Sequence, residues 1–561
     1  MAGSGMRVIT FILPVLAIIV LLRIARSMLS GKHTNELWGY IQTDDRVLKI
    51  CHWENLIGRA RSADIRLTDP TISRVHAIII RSAKGTWRIS DVFSKGGIRV
   101  NGSETDKSGC VLSDGDIISL SDVSVRFREL TEEQRAELAV DTEERWRIVH
   151  PAITLLYLTL FQVLLLLEQC TGAAPEHVTS VAMGFGMMIT LEWLCYFGMR
   201  SIRKTGFEVE LIAFFLSTIG LSVIASSVPG EMLRQMAIVC AGVAAFLILG
   251  WWLRDLDRTK KLRIPAAIAA VGLLGLVLVL GKVQNGARNW LYIGGISVQP
   301  SELVKVAYIY VGAATLDRLF STKNLIVFTA LSAVCVIALA LMGDFGTALI
   351  FFVTFLVISF MRSGSIATVL LAVTGAGMAG FLMIRMKEHI ARRFSVWGHV
   401  WDDPFDMGYQ QTHALSAGAS GGLFGKGAGR GWLKDTFAGN TDTVFSVVCE
   451  ELGLIIAVCA VLAVVILAFF AIRNTAQGRS AYYSIAACAT AAMLLVQLSL
   501  NVFGSVDILP FTGVTFPFVS RGGTSVLSCW MLLAFIKAGD TRKGASFSVR
   551  PEDRVRRRDE E

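Results

Sequence analysis

The stretch "NGARNWLYIGGISVQPSELVK", residues 285–305, lies between two long apolar runs and puts Arg288, Glu302 and Lys305 at the lip of a membrane. A charge at the bilayer centre costs about 2.5–3.5 kcal/mol on insertion scales. Glu302 and Lys305 stand three residues apart, so a helix through them carries both on one face. That spacing fits two arrangements: a snorkelling pair that anchors the helix end, or an ion pair facing a wet cavity. Within a cavity, a carboxylate can take up a proton and cations can steady a departing anion.

Three further segments share the difficulty of lying at membrane depth. "GYQQTHALSAGASGGLFGKGAG" (408–429) is too rich in Gly and Ser for a stable span, "NTDTVFSVVCEELG" (440–453) sets Asp442 before an apolar helix, and "LPFTGVTFPFVSRGGTSVL" (509–527) is broken by Pro and Gly. Irregular backbone in a membrane must be buried in protein or line a water-filled cavity. Three such segments on one side predict a single outward-facing cavity. Taken alone, an Asp before a helix is most simply an N-cap.

The elements that position these segments are membrane spans. Of 561 residues, 53% are hydrophobic and 18% charged, so lipid solvates most of the chain. From residue 148 onward, about twelve apolar segments are long enough for a bilayer core of roughly 30 Å, centred near 158, 188, 218, 245, 273, 310, 333, 352, 375, 457, 492 and 530. The formal net charge of +9 sits mainly in short loops such as "RSIRK", "RDLDRTKKLR" and "RNTAQGR". That is a topology signal, and no nucleic-acid partner is expected. Residues 1–30 read as an uncleaved N-terminal anchor: the apolar run 8–22 is followed by Arg23, Arg26 and Lys32 without a small-residue cleavage site. The positive-inside rule then sends residues 31–130 to the cytoplasm, a charged helical linker (131–147) into the polytopic part (148–540), and a basic tail (541–561) back to the cytoplasm. The ten cysteines lack CxxC or CxxxH spacing and read as packing residues. The membrane part shows no internal repeat, which weakens a secondary-transporter reading.

Short alternating runs within 31–130, separated by Gly, Asp, Ser and Pro, predict a small β-sandwich. Inside it "IGRARSADIRL", "TISRVHA" and "IRVNG" follow in order, and together they resemble the forkhead-associated (FHA) domain, a phosphothreonine reader. The resemblance implies phosphate binding by Arg59 and Ser73, with Arg74 as a further donor; His76 and Asn101 brace the loops. An Arg fork and hydroxyls suit a phosphate that carries nearly two negative charges. The chain departs from the family at Gly96, where an Asn usually grips the peptide backbone, while Lys95 adds a charge beside it. The alternative is a sandwich that only docks proteins.

GARxW, QPSExxK, GYQ, GGLxGKG, TDxxF with EELG, and PFxSxGG occur in order over roughly residues 200–540. They resemble the SEDS family (shape, elongation, division and sporulation), whose members include FtsW, RodA and SpoVE. The resemblance implies a polytopic all-α membrane fold joined to the anchor helix and the cytoplasmic all-β FHA sandwich. It also implies a peptidoglycan glycosyltransferase of the bacterial cytoplasmic membrane that polymerises lipid II on the outer face, commonly beside a class B penicillin-binding protein. Carried over by position, the essential outer-loop acid falls on Asp442, the QPSE acid and its Lys on Glu302 and Lys305, and the GARxW pair on Arg288 and Trp290. Gln410, Lys426 and Ser520 fall in substrate-binding motifs. The polymerisation joins a sugar hydroxyl to an anomeric carbon bearing a polyprenyl diphosphate, so a base and cations are needed. Asp442 fits the base; Arg288, Lys305, Lys434, Arg392 and Arg393 are candidates for the diphosphate. No cofactor is read with certainty, and the ligands of any divalent cation are not legible.

The chain departs from this family too. Asn440 stands where His is usual, Thr443 where Phe is usual, and Arg521 where Tyr is common before the Gly pair. About five spans precede the GARNW loop, whereas such cores usually have about three. Asp344 reads as a helix cap, and Glu450 and Glu451 as structural or cavity residues. A phosphothreonine reader on such an enzyme implies recruitment by a partner of a Ser/Thr kinase. The rival readings are a flippase for lipid-linked precursors and a catalytically inactive scaffold, and the position of the Asp442 carboxylate discriminates among them.

Overall fold

The structure, a computed structural model, describes every residue except 1, 31–36, 44, 61–62, 82–84, 93, 106–108, 132–133, 135–148, 203–205, 285–286, 295, 317–321, 364–365, 387–390, 392–393, 476–479, 543–544 and 548–561. Most of the expected linker (131–147), most of the expected tail (541–561), and both Arg392 and Arg393 lie outside the described residues.

Among the described residues, eleven strands build the soluble part: β1 (Gly39–Gln42), β2 (Val47–Ile50), β3 (Glu54–Gly58), β4 (Ile65–Arg66), β5 (Ala77–Arg81), β6 (Trp87–Asp91), β7 (Ile98–Val100), β8 (Ser103–Glu104), β9 (Cys110–Leu112), β10 (Ile117–Leu120) and β11 (Val123–Glu129). They form two sheets, ordered β2-β1-β11-β10-β7-β8 and β4-β3-β5-β6-β9. The period-2 pattern fixes which face is inward: Trp87 and Ile89 of β6, and Ile98 and Val100 of β7, are buried. Trp87 meets Phe127 edge-on at a centroid distance of 5.5 Å, which locks the two sheets together.

Nine helices among the described residues are long and apolar enough to cross a membrane. Three shorter apolar helices join them, as does Pro300–Leu316, which carries the buried Glu302 and Lys305. Every apolar segment anticipated from hydropathy is therefore helical. Glu208–Ser227 is apolar all round and almost wholly buried, so it is the axis of the bundle. At Gly220 a Cβ would stand 2.7 Å from the Val519 carbonyl oxygen, so only glycine lets the 518–519 turn press against this axis.

Polar stitches hold the peripheral helices to the axis. Gln162 of Pro151–Gly172 donates to Glu192 of Val178–Ser201 and to Thr218 of the axis, each at 2.9 Å. The N-terminal helix Ala2–Ser30 is attached in the same manner: Thr10 donates to Glu168 at 2.7 Å and Ser27 to Glu208 at 2.6 Å. Such bonds persist because a polar group without a partner is costly in an apolar surrounding.

One boundary moves. The tail expected from residue 541 begins with a segment docked in the bundle, where the buried Arg542 donates to Glu208 at 3.0 Å and Phe547 packs on Phe246 at 5.0 Å. Beside it, Lys537 and Glu210 pair at 3.0 Å with neither side chain exposed. Lys537→Met would strand the Glu210 carboxylate, at a cost of about 3–5 kcal/mol. The expected outcome is a clearly lower melting temperature in detergent, partly restored by adding Glu210→Leu; a melting temperature unmoved by Lys537→Met would contradict this packing.

Candidate functional site

A cavity of about 380 Å³ opens where five irregular segments converge, and it is lined by Trp290, Glu302, Lys305, Asp344, Asp442 and Arg521 among others. Three short strands, Lys282–Gln284, Ala287–Ile293 and Ile296–Val298, form a small antiparallel sheet over one side. The start of Pro300–Leu316, the turn at 343–345, the 437–442 loop and the 512–525 segment supply the rest.

Backbone clamps fix Asp442. Ser520 donates its hydroxyl to the Thr441 carbonyl at 2.6 Å, the Arg521 amide donates to the Asn440 carbonyl at 2.9 Å, and Asn501 donates to the Asp442 carbonyl at 2.9 Å and the Val514 carbonyl at 2.8 Å. The two loops are therefore bonded to each other through their backbones. The following helix, Val444–Leu452, has Thr443 at its N-cap position, so Asp442 stands one residue outside the cap. Gly513 closes over the carboxylate with φ of +67°, and a Cβ there would lie 3.3 Å from Asp442 Oδ2.

The same cavity is lined by members of a buried polar network. Lys305 Nζ donates to Glu302 Oε1 at 2.7 Å and to Gln497 Oε1 at 3.1 Å, and Ser528 donates to Glu302 Oε2 at 2.8 Å. Removing either member of such a buried pair costs about 3–5 kcal/mol, because the other charge is left without compensation. Of the two arrangements open to Glu302 and Lys305, the cavity-facing ion pair is the one observed. Asp344 also faces the cavity and takes the capping role: Oδ1 accepts from the Thr347 amide at 3.1 Å, and Oδ2 from Gln299 at 3.4 Å.

Among the described lining residues, the cations are Lys305 and Arg521. The Arg521 guanidinium pairs with Glu231 at 2.7 Å, with both side chains about one-third exposed. Pairs this wet contribute only about 0–1 kcal/mol. Lys305 is thus fixed and Arg521 exchangeable. In the sequence Arg521 stands out only as a departure from the family pattern, and Gln497 and Asn501 belong to none of its motifs. Their signal was two amides four residues apart in an apolar helix.

The other expected site residues lie elsewhere. Arg288 donates to the Leu278 carbonyl at 3.0 Å and so closes the C-terminus of Arg263–Leu280, away from the cavity lining. Lys426 pairs with Glu450 at 2.8 Å, and Lys434 donates to the Gly429 carbonyl. Gln410 lines a separate pocket of about 160 Å³ with Gln411 and Phe511. Ser520 braces the loops, as its bonds show. The 408–429 segment does not line the cavity: its first part is the helix Tyr409–Gly421, and the turns at 429–433 that follow its Gly-rich remainder are held by two carboxylates. Glu450 accepts from the amides of Trp432 and Leu433, and Glu451 from those of Gly429 and Gly431. Hydrogen-bond demand, not the sign of charge alone, places these lysines and glutamates. Among the described residues, no three His, Cys, Asp or Glu side chains gather as a metal site.

The sandwich carries a second candidate site at one end. The Arg59 amide donates to the Ser73 carbonyl and the Lys95 amide to the Ser73 hydroxyl, both at 3.1 Å, so the loops bearing Arg59, Ser73, Arg74 and Lys95 share one rim. His76 braces it from below: Nδ1 accepts from the Ser73 amide and Nε2 donates to the Gly97 carbonyl, each at 3.1 Å. Asn101 braces the neighbouring turn by donating to Asp116 at 2.9 Å. The hydroxyl and amide of Thr71 hold the Asp69 carboxyl below its usual range. At Gly96 a Cβ would sit 2.5 Å from the Ser121 hydroxyl, so the chain has no space there for the Asn of the FHA pattern.

Residues 209–543 match the FtsW/RodA/SpoVE family, described as cell cycle proteins, and residues 55–121 match the FHA domain. The peptidoglycan glycosyltransferase RodA of Mycobacterium tuberculosis is 28% identical over 322 residues, spanning 54% of this chain and 69% of that protein. A protein of Tolumonas auensis named "Probable peptidoglycan glycosyltransferase FtsW" is 30% identical over 358 residues, spanning 60% of this chain and 92% of its own. The crystal structure of the Thermus thermophilus rod shape determining protein RodA covers 59% of this chain and 95% of its own, at 23% identity and a TM-score of 0.45.

Gly513→Ala combines a left-handed backbone with a methyl group against Asp442. The expected outcome is at least a tenfold loss of whatever turnover the cavity supports, with little loss of folded protein; the left-handed φ alone costs about 1–2 kcal/mol. Full turnover in Gly513→Ala would show that the carboxylate needs no fixed position.

Proposed function

Because the chain belongs to the FtsW/RodA/SpoVE family and carries an FHA domain, we propose that it is a peptidoglycan glycosyltransferase that polymerises lipid II and is recruited through phosphothreonine. The observation that carries this reading is the Asp442 carboxylate in a cavity shared with Glu302, Lys305 and Arg521. In this reading the cavity opens to the outer face of the cytoplasmic membrane, while the sandwich and the C-terminus lie in the cytoplasm, following the loop charges.

Asp442 takes the proton of the attacking sugar hydroxyl as its oxygen bonds to the anomeric carbon of the donor. The bond from that carbon to the polyprenyl diphosphate breaks, and the diphosphate leaves with the electron pair. A single displacement of this kind inverts an α-linked donor into a β-linked product, so no second carboxylate nucleophile is required. The network of Glu302, Lys305 and Gln497 keeps the cavity floor rigid during the step. A divalent cation is proposed to arrive on the diphosphate of the substrate, and chelator titration tests that role. A class B penicillin-binding protein is the proposed crosslinking partner. Residues of the sandwich rim, Arg59, Ser73, Arg74 and Lys95, are proposed to hold a phosphothreonine made by a Ser/Thr kinase.

Two measurements test this reading. Purified full-length protein with lipid II, with and without a class B penicillin-binding protein, is expected to form glycan strands, and Asp442→Ala to lose about 10²–10⁴-fold in rate. Absence of strands under both partner conditions from folded wild-type protein would overturn the enzyme in favour of a flippase or scaffold. The full-length protein is also expected to bind a phosphothreonine peptide in preference to its unphosphorylated form, and Arg59→Ala to abolish the preference. Equal binding of the two peptides by wild type would leave the sandwich as a phosphate-independent docking module.

A further inference from the structure

Departure of a diphosphate calls for a cation that can reach it, yet among the described residues the expected Arg288, Lys426 and Lys434 are spent outside the cavity. Lys305, inside it, is almost wholly buried and divides its donors between Glu302 and Gln497. We propose that Arg521 binds the diphosphate of the lipid-linked donor, exchanging its ion pair with Glu231 for the substrate. The inference rests on the glycosyltransferase reading of the same cavity.

Three features of the cavity rim make the exchange workable. First, both partners are about one-third exposed, so water can solvate each charge as the pair opens. Second, Glu231 keeps a cation after Arg521 turns away, because its other oxygen lies 4.0 Å from the Arg234 guanidinium. Third, Arg521 is held by its backbone: its amide donates to Asn440 at 2.9 Å while Ser520 grips Thr441 at 2.6 Å. The guanidinium can therefore swing without disturbing Asp442, two residues from Asn440. A planar guanidinium presents paired N–H donors to two phosphate oxygens, and a diphosphate carries more negative charge than the carboxylate it displaces. In the SEDS pattern this position is commonly a neutral Tyr, so a charge-dependent grip on the diphosphate would be particular to this chain. Arg521 donates hydrogen bonds only; the proton still passes to Asp442 and the electron pair still leaves with the diphosphate.

The test compares full-length wild type, Arg521→Gln, Arg521→Lys and Glu231→Gln, each checked for folding by thermal melting. Lipid II polymerisation gives KM and kcat, and inorganic pyrophosphate serves as the probe, both as an inhibitor and in direct binding to the resting protein. Expected are competitive inhibition of wild type, a rise of roughly 10–100-fold in both KM and the pyrophosphate inhibition constant for Arg521→Gln, an intermediate value for Arg521→Lys, and tighter pyrophosphate binding for Glu231→Gln. A fall in kcat with the pyrophosphate constant unchanged would overturn the proposal and make Arg521 a loop brace. If wild type makes no glycan, the enzyme reading fails; the direct binding comparison then still decides the anion site, which falls if Arg521→Gln binds pyrophosphate as wild type does.

Discussion

The ion pair of Glu302 and Lys305 is the constraint from which the membrane domain is organised. Its 2.7 Å contact lies within Pro300–Leu316, but its outer bonds reach Gln497 of Ala481–Ser505 and Ser528 of Gly523–Ala538. Gln497 passes the connection to the Thr515 carbonyl and hydroxyl, each at 3.0 Å. Three helices and the broken 509–522 segment are thereby tied at one buried point. In a low-dielectric surrounding the tie is strong because every alternative leaves a charge or an amide without a partner. The cavity is a consequence: irregular backbone can persist at this depth because its polar groups are already satisfied.

A second layer of bonds supports the first. Glu450 and Glu451 hold the Gly-rich turns by backbone amides, which fixes the short helix that follows Asp442. The N-terminal helix reaches the same region, with Phe11 against Phe424 at 4.6 Å and Thr10 on Glu168. Its other end, at Ser27, bonds Glu208 of the bundle axis and precedes the sandwich in sequence. One helix thus runs from the chain that enters the soluble domain to the turns that support the cavity.

Charges in this protein divide by exposure. Lys305 with Glu302 and Lys537 with Glu210 are buried pairs that serve as fixed structure. Arg521 with Glu231 is about one-third exposed, and pairs this wet are weak. Cation–carboxylate pairs differ here because water reaches one set and not the other.

Hydropathy alone established the spans, since about twenty apolar residues in a row have few alternatives to a bilayer. Alternation with Gly and Asp turns likewise established the sandwich, and clustering of Gly, Pro and acids at membrane depth marked the segments around Asp442, Glu302 and Lys305. What the sequence left open was which cations meet in the cavity. Arg288 and Lys426 sit in motifs and Lys434 in the neighbouring loop, yet each is drawn to a carbonyl or carboxylate with a vacant lone pair nearby, whereas Arg521, a residue that merely departs from a pattern, is delivered by the 512–525 segment into the lining. Spacing along a chain sets which face of one helix a side chain occupies, but pairing between segments hundreds of residues apart is decided by packing and by the need to satisfy every buried polar group. Only the tertiary structure settles those partners.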